Sequence, residues 1–564
     1  MAAQQHVRKL QRQPPASPAP PELQPPLLNG FSVHEATLAD LHEHFAAGHF
    51  TYEEYTAYCL SRIEVLNPHL SAIIETNPDA CALAAELDTR PPDASENVHS
   101  GQQTVGPLYG IPVLLKDNIA TADRTQTTAG SLALVGSKPK EDAHVVKLLR
   151  EAGAIPIGKA NMSEWASLRS KTASAGYSPR GGQCRNPYDL EMSPFSSSAG
   201  SAAAVAAGMV PVALGTETDT SVIGPAGANG VVGIKPGVGV TSRRGTVPIS
   251  GKMDVVGCFG RTVADAAAVL EVISGPDPSD EPTTKKRRDV NYREWLTGSE
   301  TLKGAKFGIP FKRCWEMVEP SCKAVAEKVV DAIRKAGAEV VEVDFPSVEE
   351  RVGKDGSWDW ERGTDRTAEW TVAKVDGYNG MTEYLQELEE SKVRSVEDVV
   401  EFNKEHDEEE GANPGTMPNV YPKGQDNLEE LAETKGVEGN TYHAALRHIR
   451  EQTRRNGIDA VLSYTDPKTG KKDDLDALLF CDRKGIGQQY AAQAGYPVVC
   501  IPIGVDKDGI PVSLSFQHSA LKEPELVKWA SAVEDLWNKE NGWRPLPAFK
   551  NLGAKNVPIG RVDD

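Results

Sequence analysis

Apolar residues first recur at helical spacing over residues 35–66, where Leu38, Leu41, Phe45, Tyr55, Tyr58, Cys59, Ile63 and Leu66 predict helix. From Gly106 the pattern changes to short apolar runs alternating with helical stretches. Ile111–Leu115 and Ala154–Ile157 read as buried strands, with a helix over about 142–152 between them. The Ala-rich stretch Ser201–Gly208 reads as a helix, and Val210–Leu214 as a strand directly after it. Such alternation predicts an α/β fold, a central mixed β-sheet covered by helices on both faces. Over 346–440 the strand pattern gives way to a mostly helical insertion, in which Ser395-Val-Glu-Asp398 has the form of a helix cap. The α/β texture returns with Ile458–Leu462 and Pro497–Ile503.

Composition adjusts this picture only slightly. At about 150 residues per domain, 564 residues would make three or four domains. Residues 1–28 contain seven prolines and no hydrophobic period, and are expected to form a disordered tail. A C-terminal tail is expected over 551–564. The chain carries 61 basic and 80 acidic side chains, a formal net charge of −19. Twelve acidic and three basic residues between Glu383 and Glu410 supply nine of those excess negative charges, the pattern of a solvated helical face. Acidity of this kind argues against a nucleic-acid partner, which would need clustered Lys and Arg. No stretch reaches the ~20 apolar residues of a spanning helix, so no membrane partner is expected either. Eight scattered cysteines without CxxC pairing point to a reducing, cytoplasmic setting rather than a disulfide framework.

The chain lacks GxxxxGK[ST], HExxH and GxSxG patterns, and its 12 histidines show no metal-ligand spacing, so no metal or nucleotide cofactor is implied. Two Ser/Gly/Thr-rich segments flank the Ala-rich helix: Ser193-Pro-Phe-Ser-Ser-Ser-Ala-Gly-Ser201 and Gly215-Thr-Glu-Thr-Asp-Thr-Ser221. Small hydroxyl residues at strand ends offer nucleophiles and backbone N–H donors, the requirements of acyl transfer. Lys116 ends the buried run 111–115, where desolvation would lower its pKa and make it a base. Taken singly, Lys116-Asp-Asn118 fits a strand-ending turn equally well, and a serine-rich loop fits a helix cap.

Together these segments resemble the amidase signature family of Ser–cis-Ser–Lys hydrolases. The matching stretches are Gly110–Ile119, Thr127–Ser131, Ala152–Trp165, Ser193–Gly208, Gly215–Ala226 and Val231–Pro236, with Ala494–Pro497 and Ile501–Gly504 more weakly. The wording Gly-Thr-Glu-Thr-Asp and Asn186-Pro-Tyr188 is most similar to fungal and bacterial general amidases. The resemblance spans about residues 31–545, so it implies one large domain over 29–550 rather than several. It implies Ser221 as nucleophile, Ser197 as bridging serine 24 residues upstream, and Lys116 as base. Backbone groups of Thr218, Asp219 and Thr220 would line the oxyanion hole, with Ser196 beside them.

This chain departs from the family pattern in three places. Phe195-Ser196 replaces the two glycines usual before the bridging serine, Asp219-Thr220 replaces Gly-Gly or Asp-Gly, and Ile223 stands where many members have arginine. A β-branched threonine tolerates positive φ poorly, so either the loop avoids that conformation or the hole is distorted. The expected activity is hydrolysis of a small carboxylic amide. The alternatives are a weakened amidase fold and an amidotransferase A-type subunit. Ser196 or Ser198 could also replace Ser197 as the bridge. The expected partners are the small-molecule amide and, at most, a second copy of the chain as a homodimer.

Overall fold

Two threonines divide the N-terminal apolar stretch. Thr37 and Thr51 each accept a hydrogen bond from the backbone N–H three residues on, while the side chains of Asp40 and Glu54 reach back to them. These reciprocal capping boxes start two helices, α1 (Leu38–Ala46) and α2 (Tyr52–Leu70), where the spacing predicts one. Gly48, at φ +66°, makes the turn between them. The computed structural model describes residues 19–559, apart from 91–94, 97–102, 105, 286–289, 412–419, 466–469, 471, 482–484, 543–545 and 555–558. Most of the Pro-rich N-terminal segment and most of 551–564 therefore lie outside the described residues. Within the N-terminal segment Leu23 is buried, and its carbonyl accepts from Arg62 Nη2 at 2.9 Å.

One mixed sheet of eleven strands organises the chain. In chain order these are β1 (Ile73–Thr76), β2 (Pro112–Lys116), β3 (Ile155–Ala160), β4 (Val212–Glu217), β5 (Val232–Lys235), β6 (Val255–Gly260), β7 (Lys306–Pro310), β8 (Glu339–Val343), β9 (Ala477–Phe480), β10 (Val498–Val505) and β11 (Pro511–Gln517). Their spatial order is β1-β3-β2-β4-β6-β5-β10-β11-β9-β7-β8. Every residue of β2, β3, β4 and β6 is buried, so the sheet is covered on both faces, as its continuous apolar runs require. Helix α3 (His144–Glu151) forms the crossover between β2 and β3, which pair in parallel. The run Ile458–Leu462 is not a strand. Asp459–Leu462 is a single helical turn, an outcome that a five-residue apolar run leaves open.

Strands β2 and β4 are parallel neighbours, with Val113 opposite Val212 and Leu115 opposite Leu214. Their C-terminal ends, Lys116 and Glu217, therefore emerge on the same edge. Between them in sequence runs α4 (Ala199–Ala206), built only of Ala, Gly, Ser and Val, with every residue buried. Small side chains let it lie close to the sheet. Gly200 is the closest approach: its N–H donates to Asn161 O at 2.9 Å, and a Cβ there would lie 2.2 Å from Ala72 O and 2.5 Å from Asn161 O. Helix α5 (Ile223–Asn229) follows β4.

The acidic stretch contributes α6 (Glu369–Glu387), α7 (Val396–Glu405) and α8 (Asp426–Thr434). Ser395 caps α7 through a bond from the Asp398 N–H. Trp370, Met381, Leu385, Val396, Leu428 and Leu431 form a second apolar cluster with Met162, Trp165 and Leu168. Glu410 is joined to the same region by a buried ion pair with Arg169 at 2.8 Å, where Arg169 also meets Glu164 at 3.3 Å. Among the described residues no helix is long and apolar enough to cross a membrane.

Gly200→Ala places a methyl group against two backbone carbonyls that cannot move aside. The expected cost is about 3 kcal/mol, read as a lower urea midpoint. An unchanged midpoint would refute the close packing of α4 against the sheet.

Candidate active site

Parallel pairing brings the ends of β2 and β4 together, and this places Lys116 beside Thr216. Lys116 is fully buried. Its Nζ lies 2.9 Å from Thr216 Oγ1, 3.1 Å from Thr216 O and 2.7 Å from Ser197 Oγ. Asn118 Nδ2 donates to the same Thr216 hydroxyl at 3.0 Å. Burial lowers the Lys116 pKa to about 7, with the negative charges of Glu217 and Asp254 opposing that shift. Asp117 turns the other way: its carboxylate accepts from Thr128 Oγ1 and, at 2.9 Å, from Gly130 N–H, which braces the loop after β2.

Ser197 precedes α4 and is also fully buried. The Ser196–Ser197 peptide bond is cis. The three consecutive serines point to three places. Ser197 Oγ meets Lys116. Ser198 Oγ donates to Thr216 O at 3.1 Å and accepts from Thr216 N–H at 3.3 Å. Ser196 Oγ lies 2.7 Å from Ser167 Oγ and 3.0 Å from Ser163 Oγ, turned away from the lysine. Of the three candidate bridges, only Ser197 contacts Lys116.

Residues 218–221 form the loop between β4 and α5. Thr220 takes the left-handed conformation, φ +54°, despite its branched Cβ, and Phe195 does the same at φ +64°. The loop therefore adopts the conformation that glycine would favour, at a cost of about 1–2 kcal/mol per residue. Two carboxylates hold it there. Glu217 Oε2 accepts from the N–H groups of Val222 at 2.6 Å and Ile223 at 3.0 Å, at the start of α5. Asp254 Oδ1 accepts from Thr218 Oγ1 at 2.6 Å, while its other oxygen accepts from Ile249 and Ser250 N–H. Burial raises the pKa of Asp254 to about 6 against these hydrogen bonds. Ser198 N–H donates to Ser221 O at 3.2 Å, which ties the serine loop to the 218–221 loop.

Ser221 Oγ donates to Asp219 O at 3.4 Å, a weak bond. Among the described residues, none of the N–H groups of residues 218–221 donates to a protein acceptor. Thr218, Asp219, Thr220 and Ser221 keep 5–9% exposure, whereas Lys116, Ser197 and Ser198 have none. The loop is thus the part of the site nearest solvent, with the lysine behind it. Buried hydroxyls beside a neutral-capable amine, next to unengaged N–H donors, can deliver a serine alkoxide to a carbonyl and hold the resulting oxyanion.

Sequence reasoning missed several neighbours. Thr216 and Glu217 lie inside a motif already singled out, but their roles depend on strand pairing and on the chain's return into α5. Asp254, Trp360 and Glu369 are remote in sequence. Trp360 Nε1 donates to Asp219 Oδ2 at 3.2 Å. Cys184 and Cys258 are buried packing residues whose thiol pKa values burial raises, that of Cys184 to about 12. Among the described residues no three His, Cys, Asp or Glu side chains group to hold a metal ion.

Known proteins resemble this chain along most of its length. A Schizosaccharomyces pombe (strain 972 / ATCC 24843) protein classed with the amidases is 41% identical over 95% of this chain and 90% of its own. The solved peptide amidase of Stenotrophomonas maltophilia superposes with a TM-score of 0.78 at 36% identity, covering 92% of this chain and 99% of that one. The A-type subunit of the Symbiobacterium thermophilum glutamyl-tRNA(Gln) amidotransferase is 40% identical, over only 55% of this chain and 61% of its own length. The family model Amidase matches residues 54–527, and the chain therefore belongs to the amidase signature family of amide-hydrolysing enzymes.

Proposed function

We propose that the chain hydrolyses a primary carboxylic amide through a Ser221 acyl-enzyme, with Lys116 as base and Ser197 as proton relay. The observation that carries this reading is the 2.7 Å contact between a fully buried Lys116 and Ser197. A neutral amine has two N–H donors and one lone pair. Thr216 O can only accept and takes one N–H, Thr216 Oγ1 takes the other, and the lone pair is left for the Ser197 hydroxyl proton. Ser197 then accepts the Ser221 proton once Ser221 gives up its weak bond to Asp219 O, a contact of the kind that tightens with substrate in place.

Ser221 Oγ attacks the amide carbon, and its proton passes through Ser197 to Lys116. The N–H groups of the 218–221 loop receive the developing oxyanion. Lysine returns the proton through Ser197 to the departing nitrogen, and ammonia leaves. Water then attacks the ester, using the same relay, and frees the acid. The closeness of the superpositions favours hydrolysis over transfer of ammonia to a partner protein. Peptide amidase and a Thermotoga maritima amidotransferase A subunit each align along 99% of their length, the first with a TM-score of 0.78 at 36% identity, the second with 0.63 at 25%. The retained left-handed Thr220 also favours a working loop over a weakened one. The eight free thiols suit a reducing, cytoplasmic setting.

Ser221→Ala should lower kcat for ammonia release from primary amides by about 10⁴-fold or more and abolish labelling by a fluorophosphonate probe. Full activity in this variant would overturn the assignment. Because the base must be neutral, kcat/KM should rise with pH through an inflection near 7; a flat profile between about pH 6 and 8 would contradict Lys116 as base. Folded Lys116 titrates near 7 and unfolded lysine near its ordinary 10.5. Between those values the unfolded chain holds the extra proton, so this residue's penalty to stability is full below pH 7 and fades as pH rises towards 10.5. Lys116→Met should therefore be inactive yet more stable at neutral pH, by roughly 1 kcal/mol, with the advantage shrinking as pH rises in urea titrations.

A further inference from the structure

Asp219 stands two residues before Ser221, and its side chain leaves the oxyanion loop for the insertion. A second buried carboxylate, Glu369, the first residue of α6, lies in that insertion. Two tryptophans of one short loop join them. Trp360 Nε1 donates to Asp219 Oδ2 at 3.2 Å, and Trp358 Nε1 donates to Glu369 Oε2 at 3.4 Å. Gln493 Nε2 also donates to Glu369 Oε2, at 2.5 Å. The other oxygen of each acid, Asp219 Oδ1 and Glu369 Oε1, is buried and has no partner among the described residues. Asp219 is 7% exposed and Glu369 1%.

The charges do not balance here. Arg351 reaches Glu369 only through Gln493, to whose Oε1 it donates at 2.8 Å, and its guanidinium lies over the Trp358 ring. The other cation is Lys235, which acts on Asp219 and is shared with Glu217, so two cations serve three buried carboxylates. Asp219 is left with an indole N–H, and its pKa is raised first by burial and then by the negative charges of Glu369 and Glu217. A buried carboxylate oxygen without a donor is costly, and a cation that supplies N–H donors removes both the charge and the missing bond. The partly exposed Trp360 adds an aromatic face for such a cation.

We propose that Asp219 Oδ1 and Glu369 Oε1 form a subsite for an ammonium group on the acyl part of the substrate, which makes amides of amino acids with a free amine the preferred class. This rests on the hydrolase reading above. Ammonia is the leaving group of a primary amide and is too small to carry the recognition element, so the cation must belong to the acyl side.

Binding separates this proposal from the catalytic one. In the non-reactive Ser221→Ala protein, L-leucinamide and L-phenylalaninamide are titrated calorimetrically at about pH 7, where an α-amino group is mostly charged. Their uncharged counterparts, 4-methylpentanamide and 3-phenylpropanamide, are titrated alongside. The amino amides should bind about tenfold tighter or better. That ratio should collapse towards one when Asp219→Asn or Glu369→Gln is added, with the fold of each variant checked by its urea transition. Equal binding, tighter binding of the uncharged amides, or no binding of any of the four would overturn the subsite; a protonated Asp219 facing a neutral ligand gives the first result. Amino amides bound with the expected ratio but not hydrolysed by the wild-type enzyme would uphold the subsite and sink the hydrolase reading. Hydrolysis without the ratio would do the reverse.

Discussion

A lysine with no exposure is the constraint around which this molecule is built. Water would hold Lys116 charged; the end of a buried parallel strand does not. Desolvation brings its pKa to about 7, and the residue is tolerated there because the Thr216 carbonyl and hydroxyl receive its N–H groups. That requires β2 and β4 to be parallel neighbours in one particular register. It also requires the α4 crossover to sit tightly on the sheet so that Ser197 arrives at the same point. The small residues of α4 suit this, and at Gly200 even a methyl group would meet the carbonyls of Ala72 and Asn161.

The loop carrying Ser221 solves a different problem. Its N–H groups meet no protein acceptor among the described residues, and two of the surrounding residues, Phe195 and Thr220, adopt positive φ at an energetic cost that glycine would avoid. Carboxylates offset that cost. Glu217 collects the first N–H groups of α5 and Asp254 clasps Thr218. Both are buried, so these hydrogen bonds act where water does not compete. The same acids oppose the lowering of the lysine pKa, which keeps it near neutrality rather than far below.

As a count of charges, the acidic segment reads as a solvated surface. Much of its charge is of that kind, yet Glu369 and Glu410 are buried within it, and Trp360 reaches back to the 218–221 loop. A net charge of −19 therefore describes the surface of the insertion more than the site, where individual carboxylates each have a structural duty.

Local patterns alone determined the α/β class, four of the eleven strands and the capped helix at Ser395, each of which depends on residues near in sequence: apolar runs and a capping serine. Lys116, Ser197 and Ser221 became candidates through the family resemblance of motifs far apart in the chain. The split of the N-terminal helix and the helical turn at Asp459–Leu462 were less legible, because short apolar runs carry the same periodicity in either state. Only the tertiary structure decided which of three adjacent serines faces the lysine, because the walls they meet come from distant parts of the chain: Ser163 and Ser167 for Ser196, Lys116 for Ser197 and Thr216 for Ser198. It alone also brought Thr216, Asp254, Trp360 and Glu369 to the site. Sheet register and the packing of a distant insertion set those contacts, and neither leaves a mark in the local sequence.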